Sequence, residues 1–507
     1  MNVSAAEMSR RAALKKITNE DLENDESPFS LQLSDDSDVP LNDDVLLSIF
    51  SYLDIREIIC LERVCKRWRS LALCLWKSKS RLNFRNSFSL SQGVLTDKIF
   101  DSIVVKRGCR GLKILDLSSC SRCLTDYCLL VIGNTCKSLE ELDLSGVSVT
   151  VQSVKFLVEN CKKLEVVRLR RCFSAGEKCL WWIFRRCPNL RVIDFEGCMK
   201  FTGKCFFVAG PNLTTVLLSQ CHKVTDDAFQ FLNRAGCALT RVDVSGCVQL
   251  TDSAAREIVK FPLTHLKMSN CPKVRFIELK RLPNLVELNV SRNDAVDDCW
   301  LSVIAFYCRL LRTLDVSQCR NVTDDGVKCL SNCFLLESLN ISLVTSLTDA
   351  SCIELACLES LRTLSAKHCH FLTSASLSRI VSECTRLENL NVSGCDSIGD
   401  RLVDSLLART SAATTPHKLE VTVSEMSFSE RGRKELERLA ERSSGLEVFF
   451  VTSARDNEEI FSDFDSEEEE LSDEPENYYA GGDHLIDNDD YYEFLTNDDP
   501  LETEMLS

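Results

Sequence analysis

The stretch "LRTLDVSQCRNVTDDGVKCLSNC", residues 311–333, contains in one short segment the pattern that decides the fold. Apolar and polar residues alternate in its first part, which predicts a short strand with one buried face. A Thr-Asp pair follows, placed to cap the first free amides of a helix. The stretch also holds three cysteines, and the chain of 507 residues holds 28.

The same pattern, L-x-x-L-x-L-S-x-C with variations, recurs along the middle of the chain. Twelve copies begin at residues 112, 139, 164, 190, 213, 239, 263, 285, 311, 336, 361 and 387, so they lie 22 to 27 residues apart. This period is typical of leucine-rich repeats, which contribute one strand and one helix each. A repeat cannot bury its apolar face alone and is stabilised by stacking on its neighbours. The sequence therefore predicts an α/β solenoid, a curved leucine-rich-repeat array over residues 112–410.

Two cysteines recur at fixed positions of the repeat, one after the strand segment and one three residues before the next repeat. Both positions are predicted to face inward, where cysteine packs as a small hydrophobic residue. Burial raises the pKa of a thiol and leaves little thiolate for catalysis or metal binding. Cys120 and Cys123 form a C-x-x-C pair without a matching second pair, which makes zinc binding the weaker interpretation. We expect no catalytic residue, no metal and no cofactor.

Charge and hydropathy restrict the location of the protein. No secretory signal and no apolar run of roughly 18 residues is present, so we expect a cytoplasmic and/or nuclear protein without a membrane partner. The net charge is −16, yet residues 456–507 contain 21 Asp and Glu and no Lys or Arg. Residues 39–455 carry a net charge of +10. Residues 1–38 and the acidic tail, 456–507, are predicted to be disordered.

Residues 39–84 do not follow the repeat and predict three short amphipathic helices. Asn42, followed by two aspartates, indicates the start of the first helix. The second is predicted over "IREIICLERVCKRW", residues 55–68, and the third carries Leu71, Leu75 and Trp76. Three short helices cannot hide this many large apolar groups among themselves, which suggests a partner, although a three-helix cap on the first repeat would absorb some of them.

This segment resembles an F-box, whose form is L-P-x-E-x-L-x-x-I-F-S-Y-L-D, then V-C-x-x-W-x-x-L, then L-W. The residues that fit are Leu41, Asp44, Leu46, Ile49, Phe50, Ser51, Tyr52, Leu53, Asp54, Val64, Cys65, Trp68, Leu71, Leu75 and Trp76. The family's proline is replaced by Asn42, and the nearest proline is Pro40. An F-box before cysteine-containing repeats resembles the F-box/leucine-rich-repeat proteins, and the likeness spans about residues 39–410.

The resemblance implies the substrate-recognition subunit of an SCF-type ubiquitin ligase. The F-box would bind a Skp1-type adaptor and, through it, a cullin, a RING protein and an E2 enzyme. The repeats would hold a protein substrate for ubiquitination and proteasomal degradation, and this chain would not be an enzyme. The motif positions implied for adaptor binding, some of which must instead build the F-box core, are Leu41, Leu46, Ile49, Phe50, Leu53, Val64, Cys65 and Trp68. The alternative is a non-catalytic scaffold or inhibitor that recruits no cullin, because Asn42 replaces the proline.

Arg168 and Arg170 are predicted to face outward from the third repeat, on the concave strand surface. Two guanidinium groups there suit an acidic or phosphorylated protein substrate. The alternative is a solvated charge, or lateral pairing with acids of the neighbouring repeats, namely Asp143, Asp194 and Glu196. No feature suggests nucleic acid as a partner.

The remaining segments complete the domain organisation. Residues 85–111 are predicted to be a linker or first cap. Residues 411–455 predict degenerate closing repeats, with strands within 417–425 and 446–453 and a helix between them. Trp181 and Trp182 are predicted to pack on the helix side of the third repeat rather than to bind a ligand.

Overall fold

A computed structural model describes residues 41–84, 95–118, 120, 124–411, 418–424, 427–442 and 445–451 of the protein. The tails predicted to be disordered lie outside these ranges, as does Cys123. Within them, fifteen strands form one parallel sheet in which each strand pairs with the next along the chain. The predicted leucine-rich-repeat solenoid is therefore confirmed.

The strands are short, and they follow one another at the period of the repeat. Their bounds are β1 Arg81–Asn83, β2 Ile114–Asp116, β3 Glu141–Asp143, β4 Val166–Arg168, β5 Val192–Asp194, β6 Thr215–Leu217, β7 Arg241–Asp243, β8 His265–Lys267, β9 Glu287–Asn289, β10 Thr313–Asp315, β11 Ser338–Asn340, β12 Thr363–Ser365, β13 Asn389–Asn391, β14 Leu419–Ser424 and β15 Leu446–Val451. The predicted closing strands are confirmed as β14 and β15. The outward side chains of β1–β15 form what we call the strand face.

Strand pairing is in register from repeat to repeat. Leu314, the middle residue of β10, pairs directly with Leu288 of β9 on one side and with Leu339 of β11 on the other. All three are at most 1% exposed. The middle residues of neighbouring strands thus form one continuous buried row, while the flanking residues of each strand remain on the strand face.

Helices lie on the other side of the sheet. Three precede the solenoid: α1 Asp43–Ser51, α2 Ile55–Leu61 and α3 Lys66–Ser78. The solenoid adds α4 Asp97–Asp101, α5 Tyr127–Thr135, α6 Val151–Asn160, α7 Glu177–Arg186, α8 Asp227–Arg234, α9 Asp252–Ile258, α10 Asp298–Tyr307, α11 Asp324–Cys329, α12 Asp349–Leu355, α13 Ser374–Glu383, α14 Arg401–Ser411 and α15 Glu430–Arg442. The repeats that begin at residues 190 and 263 have only short 3₁₀ helices, Lys204–Val208 and Leu279–Arg281.

The Thr-Asp pairs cap helices, as predicted, and they also join successive repeats. Thr348 begins α12, and its side chain accepts a hydrogen bond from the Ala350 amide. Its own amide and hydroxyl donate to the carboxylate of Asp324 in the preceding repeat, at 2.9 and 2.6 Å. We call this arrangement the Asp–Thr bridge. It recurs in Asp226–Thr251, Asp298–Thr323 and Asp349–Thr373.

The chain leaves each strand through a tight turn. In β10 the carboxylate of Asp315 accepts from the amide and the hydroxyl of Ser317, at 2.9 and 2.7 Å. The next residue has a positive φ, for example Gln318 at 59°. Glycine takes this position in some repeats, and at Gly246 a Cβ atom would collide with the Gln220 side chain of the preceding repeat. In β9, β11 and β13 an asparagine takes the place of Asp315 and accepts from the amide of the serine two residues later.

The recurring cysteines are buried, which confirms the structural interpretation. Cys319, after β10, donates from its thiol to the Val290 carbonyl oxygen of the preceding repeat at 3.4 Å. Cys161, before the fourth strand, donates likewise to the Cys136 carbonyl oxygen at 3.4 Å. Burial raises the pKa of both thiols to about 12. Among the described cysteines, three are exposed: Cys74, Cys299 and Cys357.

Two predictions for the first 111 residues were wrong. The helix predicted over residues 55–68 is two helices, because Cys65 adopts an extended conformation and its sulfur caps α3 by accepting from the Trp68 amide at 3.4 Å. The sheet also begins earlier than residue 112. Strand β1 pairs with β2, and the linker region contains α4.

Leu314→Ala is expected to lower the free energy of unfolding by about 2–5 kcal/mol, because the missing atoms leave a cavity in the buried row. Thr313→Ala, on the strand face of the same strand, is the matched control and should change it by less than about 0.5 kcal/mol. Urea denaturation followed by circular dichroism measures both values. Equal effects of the two substitutions would contradict the assignment of the faces.

Alkaline solution is expected to destabilise the protein through its buried thiols. Cys161 and Cys319 have a folded-state pKa of about 12, whereas an unfolded thiol titrates near 8.5. As the pH rises, the thiols of the unfolded state therefore lose their protons before those of the folded state. The free energy of unfolding is unaffected by these thiols below about pH 8.5. Between about pH 8.5 and 12 each thiol lowers it by up to about 1.4 kcal/mol per pH unit.

The measurement is the urea midpoint at about pH 7.5 and at about pH 10. The control is Cys161→Ala/Cys319→Ala, whose midpoint should fall less between the two pH values. A parent midpoint that does not change with pH would contradict the role assigned to the thiols.

Candidate protein-docking sites

The first helix is fixed at its N-terminus by capping and by an ion pair. The Asn42 side chain accepts from the Asp44 amide at 3.3 Å, which confirms the predicted helix start. Arg67 of α3 donates to the Leu41 carbonyl oxygen at 2.7 Å and to the Asp43 carboxylate at 2.6 Å. The start of α1 is thus held against α3.

The residues implied for adaptor binding divide into a core set and an outward set. Leu46, Phe50 and Cys65 are 2–3% exposed and build the core of the three helices. Leu53, Val64 and Trp68 are half-buried, and the Trp68 ring packs edge-on against Phe50 with the ring centroids 5.2 Å apart. Leu41 and Ile49 are 41% and 47% exposed.

An apolar stripe at α1 faces solvent, and the set of residues implied for adaptor binding includes only part of it. Val45 and Tyr52, at 45% and 88% exposure, join Leu41 and Ile49. Val45, Ile49 and Tyr52 are spaced by four and three positions, so they lie on one side of the helix. Leu41 comes just before the N-cap residue Asn42. We call Leu41, Val45, Ile49 and Tyr52 the docking stripe. The signal that would have found the two missed residues is that α1 is apolar on two faces, and only one of them meets the core.

A buried ion pair joins the three helices to the solenoid. Arg107, which follows α4, donates to both carboxylate oxygens of Glu62 at 2.8 Å. Trp76 donates its ring N–H to the same carboxylate at 2.7 Å, and Arg107 also bonds Ser102. The side chains of the pair are 8% and 10% exposed. Removing either partner would leave a buried charge uncompensated, so this clamp fixes how the docking stripe lies relative to the solenoid.

The two arginines predicted to bind substrate are both on the outward side, and both have lateral partners. Arg170 donates to Asp194 at 2.6 Å and lies 3.7 Å from Glu196. Asp194 is fully buried, and burial raises the pKa of its carboxyl while the hydrogen bond from Arg170 opposes this. Arg168 of β4 lies 3.8 Å from Glu141. Lateral pairing with the expected acids is confirmed for Arg170, whereas the partner of Arg168 is Glu141, which was not among the acids expected.

The two tryptophans of α7 lie on the helix side, as predicted. Trp182 is 8% exposed, and its ring meets that of Trp181 edge-on with the centroids 5.0 Å apart. Lys155 of α6 lies over the Trp182 ring at 4.3 Å. Across the described residues, no three potential metal ligands cluster together. In the same ranges, no helix has the length and hydropathy needed to cross a membrane.

Comparisons with known proteins agree with this arrangement. Residues 43–81 match the family described as F-box-like, and residues 307–331 match the family described as Leucine Rich repeat. These ranges cover α1 to β1 and one repeat of the solenoid.

Two curated relatives align over long stretches. EEED8.10 of Caenorhabditis elegans, whose name describes an RNA-binding protein, is 24% identical over 343 residues, which are 65% of this chain and 46% of the relative. The F-box protein pof2 of an SCF E3 ubiquitin ligase complex in Schizosaccharomyces pombe is 27% identical over 210 residues, 40% of this chain and 44% of the relative. The chain thus spans about half the length of the curated relatives it matches.

A solved structure, the yeast Rad7–Elc1 complex, covers 83% of this chain and all of the matched chain at 16% identity. Its TM-score of 0.44 is too low to support a conclusion. The F-box-like match on α1–α3, the repeat match within a fifteen-stranded parallel sheet, and the likeness to pof2 agree with one another. Together they show that this chain is similar to the F-box/leucine-rich-repeat proteins.

Proposed function

We propose that this protein is the substrate-recognition subunit of an SCF-type ubiquitin ligase, working in the cytoplasm and/or the nucleus. The observation that carries the proposal is the docking stripe, an apolar surface on the first helix of the F-box-like segment. Exposed apolar side chains concentrated on one face of a helix are typical of a protein-binding surface. The occupant we propose is a Skp1-type adaptor, which would connect the chain to a cullin, a RING protein and an E2 enzyme.

The chain would act by positioning and would contribute no reacting group. The adaptor holds the docking stripe, the Glu62–Arg107 clamp fixes the solenoid relative to it, and the strand face holds the protein substrate. Substrate lysines would then lie near the E2–ubiquitin thioester, so that an encounter in solution becomes an effectively intramolecular reaction. Ubiquitination would lead to degradation by the proteasome. The raised pKa values of the buried thiols support a non-enzymatic role for the repeat cysteines.

Arg168 and Arg170 remain our proposed substrate contacts on the strand face. Arg168 lies 3.8 Å from its nearest carboxylate, longer than the 2.6 Å of Arg170 to Asp194. Arg168 is therefore the arginine more able to bind a new acidic partner, because its distance to Glu141 is longer than a charge-assisted hydrogen bond. Arg170 would be the secondary contact, because Asp194 already holds its guanidinium group.

Ile49→Asp is expected to weaken adaptor binding at least about a hundredfold, or about 2.7 kcal/mol, because a charge would be buried in an apolar interface. The measurement is calorimetry with a purified Skp1-type adaptor. Leu407→Asp is the matched control, since Leu407 of α14 is 46% exposed compared with 47% for Ile49. The control should bind like the parent, and circular dichroism checks the fold of both variants.

Absence of binding by the parent would refute the proposal and favour the scaffold or inhibitor that recruits no cullin. Binding that Ile49→Asp leaves intact would show that the docking stripe is not the adaptor site.

A further inference from the structure

We propose that the helix-to-strand turns of the first repeats bind an acidic segment of a partner protein. The residues concerned are Arg110, Lys137, Lys162 and Lys163, all exposed, and we call them the basic edge. The surface is separate from the docking stripe and from the strand face, so the proposal does not depend on adaptor binding.

The basic edge is continuous because thiols connect the turns that carry it. Cys136 donates to the Cys109 carbonyl oxygen at 3.9 Å, and Cys161 donates to the Cys136 carbonyl oxygen at 3.4 Å. The residue after each of these cysteines is a cation: Arg110, Lys137 and Lys162. Neighbouring turns are about 4.8 Å apart, the spacing of paired strands. Three cations from distant parts of the sequence therefore stand side by side.

A neighbouring row at the same edge shows how the protein pairs charges when both signs are present. Lys113 lies 2.8 Å from Glu140, and Arg191 lies 3.8 Å from Glu165. These residues begin the strand segments of four successive repeats. By contrast, among the residues that the structure describes, no carboxylate lies within 4.0 Å of any cation of the basic edge. A row of like charges repels itself unless an anion covers it.

Cations also cover the adjoining helix side of the solenoid. The two helices α6 and α7 carry four cations, Lys155, Lys178, Arg185 and Arg186, against two acids, Glu159 and Glu177. Lys155 and Arg186 lie over the Trp182 ring at 4.3 and 5.5 Å, which holds both cations on the helix side. The positive potential thus extends from the turns onto α6 and α7.

The length of the basic edge favours a peptide over a nucleic acid. The next turns carry Pro188, Pro211, Ala238 and Pro262 instead of cations. Three turns span about 10 Å, the length of about three residues of extended chain. A nucleic acid carries a charge at every nucleotide, and a protein that makes about 6–10 phosphate contacts needs a longer row of cations. A short run of acidic residues with apolar neighbours matches both the cations and the exposed prolines beyond them.

The test is fluorescence anisotropy with the full-length chain and a fluorescein-labelled octaglutamate peptide, at about 50 and about 300 mM salt. The parent is expected to bind at low salt and to bind more weakly at high salt. The variant Lys137→Gln/Lys162→Gln/Lys163→Gln should lose at least about tenfold in affinity, because three of the four charges are removed. All three side chains are exposed, so the fold should be kept.

The matched control removes three exposed lysines from the strand-to-helix turns at the other edge: Lys200→Gln/Lys223→Gln/Lys273→Gln. Its affinity should stay within about twofold of the parent, although its net charge equals that of the first variant. An equal loss in both variants, no loss in either, or no binding by the parent would overturn the proposal. A labelled uridine oligonucleotide that binds more tightly than octaglutamate, and is lost in the first variant, would show a nucleic-acid site instead.

Discussion

The parallel, in-register pairing of consecutive strands is the constraint on which the rest of this structure depends. Because β9, β10 and β11 pair without a shift, residues at the same position of successive repeats stand next to one another. A residue type that recurs at one position of the repeat therefore forms a continuous row along the solenoid. The buried leucines, the hydrogen-bonded thiols and the Asp–Thr bridges are three such rows, and each joins a repeat to its neighbour. Cooperation between repeats follows, since none can bury its apolar face alone.

The features that the sequence predicted well are those that repeat. Each of these features recurs many times: the apolar positions of the strands, the capping threonines and the inward cysteines. So many recurrences exclude a chance match to the repeat pattern. A single local event was not predictable in this way. The helix expected over residues 55–68 has an unbroken amphipathic pattern, and only the extended backbone of Cys65 and its sulfur cap on α3 interrupt it. Strand β1 was not predicted because it is only three residues long, and its pairing with β2 is what identifies it as a strand.

The sites were harder to predict than the fold, because their partners are distant in sequence. Arg170 and Asp194 are 24 residues apart, and Glu62 and Arg107 are 45 apart. Asp194 was one of three acids expected beside the arginines, whereas nothing in the sequence indicated the Glu62–Arg107 pair. Strand register and helix packing decide which partners meet. The docking stripe shows the reverse case. Its four residues are local, but assigning them to solvent required knowing which face of α1 the other helices cover.

The Glu62–Arg107 clamp gives the solenoid the mechanics of a lever. Fifteen strands spaced by about 4.8 Å make at most about 65 Å of contour from the clamped end to the last strand. A tilt of about 5° at the clamp would move the fifteenth strand by at most about 6 Å but the third strand by only about 1 Å. Positional accuracy thus declines along the chain. Any partner that must be presented with small angular error is best held on the first few repeats, beside the pivot.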